Sequence, residues 1–173
     1  IPYMSSIQIL PPEVVDQIAA GEVVERPAHL VKELVENSID AGAGVVTIEF
    51  SEGGRYVKVT DDGKGIPAEE LPKALERFAT SKISSSDDLW KLRTFGFRGE
   101  ALASIAAVSK LNLTSRPKGT ERAYQLLSDF GKKTSVDPVG GPDGTTITVQ
   151  ELFANMPARL KFLKSDAAEA TQI

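Results

Sequence analysis

The sequence predicts an α+β fold, a two-layer sandwich with helices on one face of a mostly antiparallel sheet. Helical stretches are mixed with hairpins and runs of neighbouring strands, whereas a doubly wound parallel sheet alternates strands and helices strictly. Apolar and polar residues alternate at Val57, Lys58 and Val59, which is typical of a strand with one solvated face. A composition of 41% apolar and 25% charged residues over 173 residues fits one globular domain.

Proline, glycine and apolar periodicity locate the individual elements. Pro27 suits the first turn of a helix and Gly42 follows its end, so the strongest helical prediction covers residues 27–40. The glycine pair at 53–54 suits the turn of a hairpin. In chain order, the sequence predicts helices at 13–20 and 27–40, strands at 45–50 and 56–60, helices at 68–78 and 100–108, strands at 110–115, 122–127, 133–139 and 145–149, and a helix at 157–163.

Composition excludes several classes of function. Without cysteine there is no disulfide, thiolate nucleophile or sulfur-ligated zinc site, and one histidine, His29, cannot build a multi-histidine metal site. No apolar run reaches the roughly 20 residues that cross a bilayer, so we expect an intracellular protein. Three residues precede Met4, and we expect residues 1–6 to be a disordered tag and residues 7–173 to form the domain.

The helix predicted at 27–40 carries acids and an amide on one side. At about 100° per residue, Glu33, Asn37 and Asp40 share a stripe, with Glu36 beside it. A solvated acidic face is one interpretation. In the other, Asn37 offers an oxygen to Mg²⁺ while Glu33 or Glu36 polarises a water molecule. The opposite side carries apolar residues at Val31, Leu34, Val35 and Ile39.

An acidic, glycine-rich segment directly follows the second strand. Asp61 can accept a hydrogen bond from an exocyclic amine, and Gly63 and Gly65 let a ligand approach the main chain. A plain acidic turn is the alternative. The spacing also matches a loose dinucleotide fingerprint, which the amphipathic strand and Pro67 within the turn disfavour. No GxxxxGK[ST] segment is present, which excludes a P-loop.

Two further segments suggest contacts with a ligand. Gly96, Arg98 and Gly99 precede a predicted helix, and a helix N-terminus suits phosphate oxygens; the alternative is a helix-entry turn. The polar segment 81–95 before it suits a functional lid, which we expect to be disordered without nucleotide. Thr145 and Thr146 open a strand directly after a glycine.

In this order, these elements resemble the GHKL ATPases, which include gyrase-type topoisomerases, Hsp90 chaperones, histidine kinases and MutL mismatch-repair proteins. The match is close to the MutL family and covers the chain from Ile7 onward. A topoisomerase-type or chaperone-type GHKL ATPase is the alternative. The strings that look like MutL signatures lie at residues 17–27, 32–38, 79–83, 96–102 and 155–163.

The resemblance implies the GHKL (Bergerat) ATP-binding fold, ATP and Mg²⁺ as cofactors, and a role for each matching residue. Glu33 would be the general base, and Asn37 would hold Mg²⁺. Asp61 would accept from the adenine amine, with Thr145 or Thr146 completing the adenine side. Gly63 and Gly65 would shape that pocket, while the lid and phosphate contacts would come from Thr80, Lys82, Gly96, Phe97, Arg98, Gly99, Glu100, Ala101 and Leu102.

The resemblance also implies the setting in which the domain works. ATP would close the lid and promote homodimerisation, which coordinates mismatch repair with DNA and with mismatch-recognition and other repair proteins. No membrane is involved, and the location would be cytoplasmic and nucleoid-associated in a bacterium, or nuclear in a eukaryote. The net charge of −4 requires a local DNA patch, for which Arg159, Lys161 and Lys164 are candidates; a solvated helix face is the alternative we favour.

The family uses a second subdomain, which supplies a lysine to the γ-phosphate, and a C-terminal dimerisation domain. We expect neither in these 173 residues. The full-length protein would be a slow, Mg²⁺-dependent ATPase. This fragment is therefore expected to bind ATP with little or no turnover.

Overall fold

The computed structural model describes residues 8–76 and 98–173. Helices and strands occur in mixed order along these residues, as predicted. The helices are α1 (Pro12–Val23), α2 (Pro27–Asp40), α3 (Leu71–Ala74), α4 (Arg98–Ala107), α5 (Pro157–Phe162) and α6 (Asp166–Gln172), and the strands are β1 (Val46–Ser51), β2 (Tyr56–Asp61), β3 (Lys110–Arg116), β4 (Ala123–Asp129), β5 (Lys132–Lys133), β6 (Asp137–Val139) and β7 (Gly144–Gln150).

Seven strands form one sheet in the described part of the chain. Their order is β1-β2-β7-β3-β4-β5, with β6 also paired to β4, and each of these pairings is antiparallel. Strand β7 therefore lies between β2 and β3, although it is the last strand in the sequence. This pairing brings together chain segments more than 80 residues apart, such as Asp61 and Thr145.

The core lies between one face of this sheet and the helices. Val59, Ile147 and Leu113 form one apolar row across β2, β7 and β3. A second apolar row runs parallel to it and consists of Val57, Val149 and Leu111. Leu30 and Leu34 of α2 and Ile105 of α4 are at most 1% exposed in the same core. Each such buried side chain contributes about 1.5–3 kcal/mol. The α+β sandwich predicted from the sequence is confirmed.

Three elements differ from their predictions. The described part of the predicted helix 68–78 is a 3₁₀ turn followed by the short α3, because Pro72 lacks the amide that a continuous helix would use. The predicted strand 133–139 is two short strands, since the Thr134 hydroxyl bonds the Leu127 main chain between them. Helix α6 was not predicted; Ser165 caps it by accepting from the Ala168 amide at 3.2 Å.

Helix α2 begins and ends at the predicted residues, but its buried side is turned slightly from the one expected. Leu30, Leu34 and Ser38 lie on the buried stripe, whereas Ile39 is 62% exposed. A helix buries residues spaced by three or four positions, and Ser38 completes that series from Leu34. A serine therefore faces the sheet where an apolar residue was expected.

Candidate functional site

A row of polar side chains crosses the end of the three central strands. Asp61 on β2 is opposite Thr145 on β7, and Thr145 is opposite Ser115 on β3. These three residues are 8%, 7% and 1% exposed, on the same sheet face as the apolar rows. Polar groups buried to this extent are retained when they are hydrogen-bonded or serve a ligand. The sheet thus ends in a polar floor, next to the end of α2.

The carboxylate of Asp61 is held by donors from two directions. The Ser38 hydroxyl of α2 donates to Oδ2 at 2.8 Å, and the Gly63 amide donates to Oδ1 at 2.9 Å. A carboxylate has about four lone-pair sites, so both oxygens keep the capacity to accept from a ligand. Asp61 is therefore a fixed hydrogen-bond acceptor, and Gly63 contributes its main chain.

Two glycines next to Asp61 adopt backbone conformations that a side chain would oppose. Gly65 has φ +75° and approaches the Arg116 carbonyl so closely that an added Cβ would lie 2.6 Å from its oxygen. Gly144 has φ +106°, and an added Cβ would overlap the main-chain carbonyl of Asp61. Gly63 and Gly144 thus contact Asp61, whereas Gly65 packs against the main chain of Arg116 and Pro117 at the end of β3.

Strand alternation separates the two threonines that the sequence could not distinguish. Thr145 lies on the Asp61 side, whereas Thr146 pairs with Thr60 and Thr114 on the opposite face of the sheet. Successive side chains of a strand point to opposite faces, so both threonines cannot line one pocket. Thr145 therefore lies on the Asp61 face and Thr146 on the other, and the contact of Thr145 with adenine stays a prediction.

Ser115 belongs to the same buried polar row, and the sequence interpretation did not include it. Its Oγ accepts from the Ile66 amide at 2.7 Å, lies 2.7 Å from Thr145 Oγ1, and lies 3.1 Å from the Gly144 carbonyl oxygen. The alternation of Leu111, Leu113 and Ser115 places this serine on the buried face and was the signal available in the sequence.

Helix α2 brings its acidic stripe to the edge of this floor. Glu33, Glu36 and Asn37 are half-buried, whereas Asp40 is exposed. Ser38, the neighbour of Asn37, reaches Asp61 directly. The i, i+4 spacing keeps Glu33 and Asn37 on one side of the helix.

Asp62 has a different task from Asp61. Its exposed carboxylate accepts from the Gly44 and Val45 amides at 2.8 and 2.9 Å, which joins the loop after α2 to the end of β2. These backbone hydrogen bonds, that to Val45 foremost, hold the pKa of Asp62 below its usual range. This acid stabilises the loop beside the pocket.

Part of the predicted phosphate-binding set can be placed. The first turn of α4 contains Arg98, Gly99 and Glu100, and the first amides of a helix have no intrahelical acceptor. Ala101 and Leu102 are 2% and 8% exposed, so their side chains belong to the core. Thr80, Lys82, Gly96, Phe97 and the predicted lid at 81–95 lie outside the described residues.

The three basic residues considered for DNA are not equivalent. Arg159 is half-buried: its Nη2 donates to the Gly21 carbonyl at 3.2 Å, and its guanidinium lies 6.0 Å from the centre of the Phe153 ring. It therefore joins α5 to α1, whereas Lys161 and Lys164 are exposed. Within residues 8–76 and 98–173, none of the helices is long and apolar enough for a membrane crossing.

Residues 25–155 match the family model described as histidine kinase-, DNA gyrase B-, and HSP90-like ATPase. The chain is 55% identical to the DNA mismatch repair protein MutL of Shewanella loihica over 170 residues, which are 97% of this chain and 27% of that protein. It is 55% identical to MutL of Actinobacillus succinogenes over 94% of this chain and 26% of that protein. The chain thus spans about a quarter of the length of the curated relatives it matches.

Solved structures give the same result. The Aquifex aeolicus MutL ATPase domain complexed with ADP has a TM-score of 0.68 and 33% identity, covering 87% of this chain and 52% of that one. The N-terminal domain of a DNA repair protein has a TM-score of 0.73 and 34% identity, covering 95% and 48%. The chain therefore belongs to the family of histidine kinase-, DNA gyrase B- and HSP90-like ATPases, as a MutL-type ATPase domain.

Proposed function

We propose that this chain binds ATP with Mg²⁺ at the polar floor, and that the bound nucleotide controls a mismatch-repair protein. The observation that carries the proposal is the buried Asp61 carboxylate, held by Ser38 and Gly63 with accepting capacity left over. Thr145 lies opposite it on the neighbouring strand. The relative solved with ADP supports a nucleotide as the ligand class.

Asp61 and Thr145 would recognise the adenine base. Its edge places an amine donor next to a ring-nitrogen acceptor, and Asp61 accepts while a threonine hydroxyl can donate or accept. Gly63 and Gly65 let the loop after Asp61 pack closely against Ala41 and the Arg116 main chain, which would fix the wall of the pocket beside the base. We assign Asp61 the amine and Thr145 the other side of the base edge.

Mg²⁺ would lie between Asn37 and the phosphates. Among the described residues, no three of His, Asp and Glu form a group that could hold a metal ion by itself. The amide oxygen of Asn37 fits a cation that takes one protein ligand and completes its shell with phosphate oxygens and water. When bound, the cation would neutralise phosphate charge.

Glu33 would act as the general base. It lies one helical turn before Asn37 on the same side of α2, so its carboxylate and the amide address the same end of the nucleotide. A carboxylate there can take a proton from the attacking water. The amides that begin α4, together with Thr80, Lys82, Gly96 and Phe97, would hold the phosphates.

In the whole protein, we propose that ATP closes the segment 81–95 over the nucleotide and promotes homodimerisation. The dimer would act on DNA with mismatch-recognition and other repair proteins. Slow hydrolysis would then reset a switch. Because the two relatives named above come from bacteria, we propose a cytoplasmic, nucleoid-associated location.

Calorimetric titration with a non-hydrolysable ATP analogue tests the proposal. We expect the 173-residue chain to bind, Asp61→Ala to lose about 10- to 100-fold in affinity, and Asn37→Ala to lose affinity mainly when Mg²⁺ is present. Asp129→Ala is the control, because Asp129 is exposed at the far end of β4. No binding by the unmutated chain, or equal binding by Asp61→Ala, would refute the proposed site.

A further inference from the structure

The turn that follows β7 holds the C-terminal end of α4. The Asn155 side chain donates through Nδ2 to the Ala107 carbonyl at 3.1 Å, and the Phe153 amide donates to the Val108 carbonyl at 2.8 Å. Both directions are fixed, because an N–H group donates and a carbonyl oxygen accepts. The last carbonyls of a helix have no intrahelical donor, so this turn supplies the donors that the end of α4 lacks.

The backbone of this turn adopts an unfavourable conformation. Phe153 is fully buried with φ +65°, and Glu151 before it has φ +52°. A left-handed backbone is an outlier for a bulky residue such as phenylalanine, so the surrounding structure must enforce it. Within the described residues, no donor reaches the buried Oδ1 of Asn155. The turn therefore accepts backbone strain and an unsatisfied oxygen while it keeps its two hydrogen bonds to the end of α4.

Arg159, in α5, makes a matching contact with α1. Its Nη2 donates to the Gly21 carbonyl at 3.2 Å, in the last turn of α1, and its guanidinium lies over the Phe153 ring. A cation suits the C-terminal end of a helix, where the carbonyls point outward. Helices α1 and α4 pack against each other, so Asn155 and Arg159 hold the C-terminal ends of a packed pair. Residues 153–159 are called the helix clamp below.

The other end of α4 is the end whose first amides would hold the phosphates. The helix has 10 residues and is about 15 Å long, so the clamp and the phosphates lie at opposite ends of one stiff element. A shift at Ala107 is therefore carried to the first amides, and their hydrogen bonds weaken as the distance grows. We propose that Asn155 and Arg159 are positioning residues that hold α4 where its first amides meet the phosphates. This deepens the proposed function and rests on it.

The readout is the affinity gained from the additional phosphates, given as the ratio of the dissociation constants of AMP and of a non-hydrolysable ATP analogue with Mg²⁺. Both are measured on the 173-residue chain by displacement of a fluorescent ATP analogue, with thermal unfolding alongside. Asn155→Leu keeps the branching of the side chain and removes the donor. Gly21→Ala acts from the other partner, because its Cβ would lie 2.5 Å from Arg159 Nη2 and displace the guanidinium, while alanine favours the helix.

Two controls have opposite expected results. Asp61→Ala removes the contact proposed for the base, so it should weaken both nucleotides and keep their ratio. Lys161→Ala removes an exposed charge from the same helix as Arg159, so it should change neither affinity.

We expect Asn155→Leu and Gly21→Ala to lower the ratio about three- to tenfold and to leave the affinity for AMP nearly unchanged. A merely structural role would weaken AMP and the analogue equally. An unchanged ratio in either variant would overturn this inference, and the proposed site would stand if Asp61→Ala still weakened both ligands. If thermal unfolding shows that Asn155→Leu is not folded, the ratio in Gly21→Ala decides alone. Absence of analogue binding by the unmutated chain would refute the proposed function and the inference with it.

Discussion

Among single residues, the adjacent acids Asp61 and Asp62 differ in burial and in hydrogen-bond partners. Asp61 is buried and held by a helix hydroxyl and a loop amide, so its remaining lone pairs are fixed in direction. Asp62 is exposed and uses its carboxylate on the Gly44 and Val45 amides. The two carboxylates have different partners, so Asp61 is available for the ligand contact proposed above, whereas Asp62 stabilises the loop after α2.

Asp62 should make a contribution to the free energy of unfolding that is lost at low pH. Its pKa is lowered in the folded state, so its stabilising contribution is present above the unfolded pKa of about 3.9 and is lost as pH falls through the folded pKa. Asp62→Asn keeps an acceptor oxygen but cannot titrate there. We expect the melting temperature of the unmutated chain to fall relative to that of Asp62→Asn between about pH 5 and pH 3. A constant difference across that range would contradict this account.

At the scale of elements, the start of β7 depends on the absence of a side chain at Gly144. A Cβ there would overlap the Asp61 carbonyl, and φ is +106°. We expect Gly144→Ala to cost at least about 2 kcal/mol in urea unfolding and to weaken nucleotide binding, because it separates β7 from β2 beside Thr145. Gly140→Ala is the matched control, since nothing lies within 4 Å of its added Cβ. Equal stability of the two variants would show that β7 adjusts.

Helix α6 is joined to the start of α2 by a buried ion pair. Glu169 is 2% exposed; its Oε1 lies 2.6 Å from Arg26 Nη1 and accepts from the Lys164 amide at 2.8 Å. A buried acid that loses its cation lowers the free energy of unfolding. Because the Arg26 side chain is 38% exposed, water can partly take its place beside Glu169 when Arg26 is removed. The pair therefore anchors the C-terminal helix to the site-bearing helix.

Urea unfolding of single and double variants measures this pair. We expect Arg26→Ala to cost about 2 kcal/mol, and Arg26→Ala with Glu169→Ala to cost less than the sum of the two single changes. Arg55→Ala serves as the comparison, because its partner Asp166 is 63% exposed and the pair spans 3.3 Å. That change should cost no more than about 1 kcal/mol. Additive single effects for Arg26 and Glu169 would mean that the contact contributes nothing.

At the scale of the whole molecule, nucleotide binding and hydrolysis should separate. The polar floor and Glu33, the proposed general base, lie within this chain, which spans 27% of the length of a MutL relative. The resemblance assigns a lysine for the γ-phosphate to a further subdomain, and loss of one transition-state contact costs roughly 10²- to 10³-fold in rate. The chain is therefore expected to bind without appreciable turnover.

Phosphate release in the presence of Mg²⁺ tests this separation. We expect the rate of the 173-residue chain to equal that of Glu33→Ala, while both bind the non-hydrolysable analogue. The variant serves as the background because Glu33 is the proposed base. Turnover clearly above that background would show that this chain holds all the groups that hydrolysis needs.

The local features of this protein could be predicted from short segments of its sequence. Proline and glycine placed α2 at 27–40, alternation placed β2, and the motif strings identified the family that the comparisons confirm. Asp61, Gly63 and Gly65 could be proposed as ligand contacts because they lie together in one short segment after β2. These features follow from backbone preferences and from spacing along the chain, which do not depend on distant residues.

Long-range strand pairing and helix packing set which side chains meet at the polar floor. Thr145 rather than Thr146 faces Asp61 because β7 inserts between β2 and β3 with one register, and a slip by one residue would have exchanged the two. The pairing of β3 with β7 places Ser115 opposite Thr145 in the same row. Ser38 reaches Asp61 because packing of α2 on the sheet turns a serine inward. Contacts between residues far apart in the chain set these choices, and no local preference specifies them.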